Sequence, residues 1–150
     1  MKRNIITLLI TVFAMLQATA QTYDNLWKQA DIIAQKDQPK SEIGVMKKII
    51  SKATAAKDYG QLLAAEIRQA ILWREISPDS LTPNVKRMET EALKAKDPVL
   101  KAVRNAVLGK VYREVNGKKS EEFFKKALEQ PELLARNAST GYVPLTLKGV

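Results

Sequence analysis

The chain has 150 residues, of which 25 are Lys or Arg and 16 are Asp or Glu, and it contains neither Cys nor His. That length suits a single domain, and the two missing residue types exclude disulfides, thiol nucleophiles, thioesters, imidazole bases and the usual zinc ligand sets. Six scattered glycines, at 44, 60, 109, 117, 141 and 149, exclude a phosphate-binding glycine loop.

Lys2 and Arg3 precede an uncharged run from Ile5 to Leu16, and Ala18-Thr19-Ala20 follows with the small residues of an export-signal cleavage site. Residues 1–20 are therefore read as a signal peptide cut between Ala20 and Gln21. The run is too short for the ~20 residues of a spanning helix, and no Cys follows it to carry a lipid anchor. The processed chain is expected in the periplasm or cell envelope with no transmembrane segment. Loss of Lys2 and Arg3 lowers the net charge from +9 to +7. Export, sparse aromatics and interleaved charges argue against a nucleic-acid partner.

Beyond residue 20, apolar residues recur three and four apart without strict alternation, which predicts an all-α fold. A first helix covers Tyr23 to Gln35, with Leu26, Ala30 and Ile33 in one stripe and Trp27 and Ala34 beside it. Pro39 suits the first turn of a second helix, because its missing N–H is not needed there; Met46, Ile49, Ile50 and Ala53 mark its core face. Asp58, Tyr59 and Gly60 break the pattern, and Leu63, Ile67, Ala70 and Ile71 define a third helix ending near Ile76. Ser77 to Pro83, bounded by Pro78 and Pro83, is predicted as a loop. A fourth helix from Asn84 to Lys96 offers Val85, Met88, Ala92 and Leu93. Asp97 caps and Pro98 opens a fifth helix that runs to about Val115, with Val99, Val103, Ala106, Val107 and Val111 inward. Asn116 and Gly117 stop it, Ser120 caps a sixth helix, and Phe123, Phe124, Ala127 and Leu128 form the face of that helix. The expected architecture is about six helices over residues 21–136, as three stacked antiparallel hairpins in a short solenoid or compact bundle. Residues 137–150 are expected to form an extended, disordered tail leading to a following domain.

The last hairpin resembles a tetratricopeptide unit in Leu108-Gly109-x-x-Tyr112, Phe124-x-x-Ala127-Leu128 and Pro131. Small Gly109 and Ala127 would let the helices approach, with Tyr112 and Phe124 filling the gap between hairpins. The spacing from Tyr112 to Phe124 is one residue short of the standard unit, so the resemblance is to a degenerate copy. Paired carboxylates, Glu89 with Glu91 and Glu121 with Glu122, stand among lysines and are read as solvated helix faces rather than acid–base pairs. No residue pattern calls for a catalytic, metal or cofactor assignment. Trp27 and Trp73 are candidates for a partner surface or for the core, and Lys110, Arg113, Lys118 and Lys119, with Lys125 and Lys126, concentrate positive charge on the last hairpin. Asp79-Ser80-Leu81 is a candidate O-glycosylation sequence at Ser80 in the proline loop; Asn137-Ala138-Ser139 is attributed to chance.

Three further segments carry a family resemblance: Tyr23-Asp24-Asn25-Leu26-Trp27-Lys28-Gln29, Lys57-Asp58-Tyr59-Gly60-Gln61-Leu62-Leu63, and Gln130-Pro131-Glu132-Leu133-Leu134-Ala135 followed by Tyr142-x-Pro144-Leu145 and Lys148-Gly149. Together they resemble the helical amino-terminal region of large bacterial alpha-2-macroglobulin-like proteins. That resemblance implies a non-enzymatic interaction or scaffold module whose partners are the β-sandwich domains that follow in such proteins. A stand-alone periplasmic adaptor that binds a protein or peptide is the alternative; it should pack Leu145 and Leu147 back onto the fifth and sixth helices.

Overall fold

The computed structural model describes residues 22–136, and every element among them is helical. The helices are α1 (Tyr23–Ala34), α2 (Pro39–Ala56), α3 (Tyr59–Ile76), α4 (Pro78–Lys94), α5 (Pro98–Tyr112), α6 (Gly117–Ala127) and the short α7 (Pro131–Arg136). From α1 to α6 each helix packs on the next, α3 also packs on α5, and α7 leans on α5. The result is a helical-hairpin stack of the expected class, in which α2–α3 and α5–α6 are the two most extensive interfaces. No helix among the described residues is long and apolar enough to cross a membrane. The predicted signal with its Ala20–Gln21 cleavage point, the Asn137-Ala138-Ser139 sequence and the tail containing Leu145 and Leu147 lie outside the described residues.

Local chemistry accounts for most helix boundaries. Thr22 accepts a hydrogen bond from the Asn25 N–H at the start of α1, and Asp58 accepts one from the Gln61 N–H at the start of α3. Asp97 accepts from the N–H groups of both Val99 and Leu100, satisfying two orphan donors of the first turn just after Pro98. The turn after α2 places Lys57 in the left-handed region, with φ 54° and ψ 33°. Asp58 therefore caps α3 directly, and Tyr59 and Gly60 lie inside its first turn instead of interrupting the chain.

Two expectations at helix starts are corrected. Ser77 to Pro83 is not a loop: α4 begins at Pro78 and carries Pro83 internally. The apolar stripe Leu81, Val85, Met88 and Ala92 already has helical spacing and packs into one core cluster, so burial holds the helix through the proline. The backbone at Ser80 is accordingly in the first turn of α4. Ser120 does not cap α6, because Asn116 takes that place by accepting from the Lys119 N–H. Ser120 is instead buried inside α6 and donates its hydroxyl to the Gly109 carbonyl at 2.7 Å.

Three apolar clusters form the core. One joins Leu26, Trp27 and Ala30 of α1 to Val45, Met46 and Ile49 of α2 and to α3; a second joins Ala70 and Trp73 to Val85, Met88, Ala92, Val107 and Leu108; the third lies around Ala53, Tyr59, Leu62, Val99 and Val103. The centre of the molecule is α3. Contact with α2, α4 and α5 buries it on most sides, so Leu62, Ala65, Gln69 and Leu72 are covered as well as the predicted Ala70, while Leu63, Ile67 and Ile71 are only half-buried. In α6, Ser120 and Ala127 are buried and both phenylalanines half-buried, but Leu128 is 60% exposed.

Candidate functional site

One departure from tight packing lies where α4, α5 and α6 meet. There the three helices leave a groove of about 500 Å³, within the range of ligand-sized sites. Its floor is made by Ala92, Ala102 and Ala127, whose small side chains leave the space unfilled, together with Asn105. Asn105 is only 4% exposed, and its side chain has no hydrogen-bond partner among the described residues. Leu93, at 78% exposure, stands at the mouth, and Lys101, Lys126 and Glu129 form an exposed rim.

One wall is built from an aromatic pair. The rings of Tyr112 and Phe123 stack in parallel with centroids 5.6 Å apart, Lys119 lies 4.7 Å from the first ring and Lys126 lies 5.0 Å from the second. The Tyr112 hydroxyl donates to Glu89 Oε1 at 2.8 Å, and Lys119 Nζ contacts the same oxygen at 3.3 Å and the phenol oxygen at 3.2 Å. Burial, followed by the hydrogen bond to Glu89, raises the Tyr112 pKa above the ordinary phenol value. The Glu89 carboxylate is thus already engaged, whereas Lys101 and Glu129 have no ion-pair partner among the described residues.

A second opening lies on the other side of α6. Phe124 and Leu128 form its apolar surface, with Arg113, Glu121 and Lys125 around it. Gly109 fixes how deeply Phe124 seats, because a Cβ at residue 109 would lie 2.8 Å from the phenyl ring. This close approach, like the Ser120–Gly109 hydrogen bond, occurs within the α5–α6 hairpin, so Phe124 seats on the partner helix of its own hairpin and not in a gap between hairpins.

Elsewhere the charged groups knit helices together. Arg68 holds Glu42 through two hydrogen bonds of 2.7 and 3.1 Å, joining α3 to α2. Arg104 of α5 lies 3.8 Å from Glu66 and 3.6 Å from Glu91, and it donates to the Glu91 carbonyl at 3.0 Å. Glu66 is buried, and that burial, assisted by the charge of Glu91 and opposed by Arg104, pushes its carboxyl up to about 7. It can therefore exchange a proton near neutrality. It lines neither of the two openings described above. Among those residues no acidic cluster has a metal-binding arrangement.

The structure disperses the residues singled out from sequence. Trp27 and Trp73 are core residues, 5% and 7% exposed, and lie in different apolar clusters. The Trp27 indole donates to buried Gln61 at 2.7 Å, and the Trp73 ring is covered by Arg87 at 5.5 Å. Around the α5–α6 turn, Lys110 is half-buried, Arg113 and Lys118 are exposed, and Lys119 turns toward Glu89. Glu121 is exposed and paired with Lys125 as a solvated face should be, but Glu91 pairs with Arg87 along α4 and with Arg104 across to α5. Asn105 was missed, although it stands three and four residues before Leu108 and Gly109 and thus on their buried face.

Comparison with protein-family models, with curated proteins and with solved structures finds no match to this chain.

Proposed function

We propose that this chain is a non-enzymatic helical interaction module of the bacterial cell envelope, similar in role to the helical amino-terminal region of alpha-2-macroglobulin-like proteins. The observation that carries the proposal is the uncovered apolar surface where the end of α4 and the last hairpin meet solvent. Leu93 at one opening and Leu128 at the other are exposed at 78% and 60%, and Phe124 beside Leu128 is only half-covered. Clustered apolar surface of this kind, rimmed by charge, is what a partner or neighbouring domain covers. The export signal read from residues 1–20 puts that partner in the periplasm or envelope. A self-sufficient peptide-binding adaptor is the second reading, favoured by the unpartnered Asn105 on the groove floor.

Site-specific photo-cross-linking in the exporting bacterium tests the proposal. A photoreactive residue at Leu93 or Leu128 should give a discrete adduct with another chain or domain. The same group at Ile32, an isolated exposed apolar residue on α1, should give none. Absence of adducts at both Leu93 and Leu128, or equal labelling at all three positions, overturns the proposal.

A further inference from the structure

We infer that the groove between α4, α5 and α6 binds an extended, acidic polypeptide segment, with Asn105 pairing to a backbone amide of that segment. The inference deepens the interaction-module reading and rests on it. Three observations lead to this occupant. First, the Asn105 side chain is nearly fully buried, lines the groove and lacks a hydrogen-bond partner among the described residues. The buried side-chain atoms without a hydrogen-bond partner among the described residues are Tyr23 Oη, Gln29 Oε1 and Arg104 Nε, so the Asn105 amide is open to the groove it lines, and a carboxamide presents a donor beside an acceptor, the complement of a peptide group. A helix spends its own amides internally, whereas an extended chain offers them.

Second, the floor alanines leave width for a partner's side chains, and Phe123 and Leu93 supply apolar walls. Third, the free charges are biased. Glu89 is occupied by Tyr112 and Lys119, which leaves two ammonium groups on the rim, Lys101 and the Lys126 that lies against Phe123, and one carboxylate, Glu129. A segment with Asp or Glu beside an aliphatic residue matches both the positive rim and the apolar wall.

The test selects random heptapeptides displayed on phage against the immobilised chain of residues 21–150, then measures the resynthesised, end-blocked peptides by fluorescence anisotropy. Enriched peptides should carry a carboxylate next to an aliphatic residue. Ala102→Trp, which fills the groove, should abolish their binding, and Leu93→Glu, at an exposed position that does not threaten folding, should weaken it at low salt. Replacing one internal amide of the peptide by an ester should weaken binding to the native chain about fivefold, the worth of one net hydrogen bond. It should have no further effect on Asn105→Leu, a variant expected to fold because it replaces an unpaired buried amide with an apolar side chain of similar size. No enrichment over the Ala102→Trp chain, enrichment of basic or strongly helical peptides, or an ester effect unchanged in Asn105→Leu overturns the inference. Binding that survives Ala102→Trp and is lost in Leu128→Glu also overturns it, while leaving the interaction-module reading intact.

Discussion

Glu66 offers a test of the buried charge network that depends on pH and so separates itself from simple loss of packing. In the folded chain its carboxyl is raised from 4.5 to about 7, first by burial, then by the charge of Glu91, against the opposing attraction of Arg104. Below 4.5 both folded and unfolded states hold the proton, and the neutral acid sits in its pocket without a desolvated charge. As pH rises toward 7, the unfolded state releases the proton while the native state retains it, so stability is lost through that window. At about 1.4 kcal/mol per pH unit, the loss is about 3 kcal/mol. Glu66→Gln fixes the side chain in a neutral form of nearly the same shape, and Arg104 keeps Glu91 as its partner at 3.6 Å. Urea denaturation of both chains at pH 4 and pH 8.5 should therefore give nearly equal stabilities in acid and a variant about 3 kcal/mol more stable in base. A difference independent of pH, or a Gln variant less stable than the native chain at pH 8.5, would refute the reasoning, because the Glu66–Arg104 attraction would then outweigh the cost of burial.

Other contacts make simpler predictions. Gly109→Ala gains up to about 1 kcal/mol of helix propensity but forces a Cβ to 2.8 Å from the Phe124 ring, an overpacking cost of about 1–3 kcal/mol; thermal melts should show a net loss that disappears in a Phe124→Leu background. Glu42→Ala strands the Arg68 guanidinium beside a vacated, 4%-exposed carboxylate site and should cost about 3–5 kcal/mol, whereas Glu121→Ala, at an exposed i,i+4 pair with Lys125, should cost about 0.5 kcal/mol or less by the same urea assay. Asp97→Ala removes an N-cap and the acceptor of the Tyr59 hydroxyl at 2.6 Å, for a combined loss of about 2–4 kcal/mol at neutral pH. The Asp97 carboxyl is held below its usual value, chiefly by that Tyr59 hydrogen bond, so its contribution is present above about pH 4 and lost as pH falls through the folded value; the variant's acid limb should be flatter than that of the native chain.

What was legible in the sequence follows from what periodicity encodes. Stripes such as Leu26 and Ala30 with Trp27 beside them, or Val85, Met88 and Ala92, and caps such as Asp97 before Pro98 specify helices with one buried face. Helices α1 and α5 begin where expected, and the stripe of α4 is buried as expected although the helix starts six residues earlier, at Pro78 rather than Asn84. The stripe of α3 was incomplete because a central helix is covered by neighbours on several sides, and periodicity cannot report a second or third buried face. Pro83 misled for a related reason: local breaker chemistry argued for a loop, while tertiary burial of Leu81 and Val85 carried the helix past it. Glu42, Glu66, Gln61 and Asn105 look like ordinary surface polar residues in one dimension. Only the pairing of helices places Glu42 against Arg68, Gln61 against Trp27, and Asn105 over a gap between three helices.

The two ends of the helix stack differ in a way that bears on where a partner docks. A stacked helical array needs a polar outer face on its terminal helices. On α1 that condition is met, since Asp24, Asn25, Lys28 and Asp31 are exposed and Ile32 is a solitary apolar residue among them. The last hairpin does not meet it: Phe123 and Phe124 are half-covered on opposite sides of α6, each bordering an opening, and Leu128 continues the apolar surface into the following turn. The lysines of α6 do not close these openings, because Lys125 is turned to Glu121 and Lys126 lies against Phe123. Hence Leu128→Glu should leave the fold intact, as a change at a 60%-exposed position, while weakening any assembly that covers the α6 face. The matching change Ile32→Glu on the polar α1 face should alter neither.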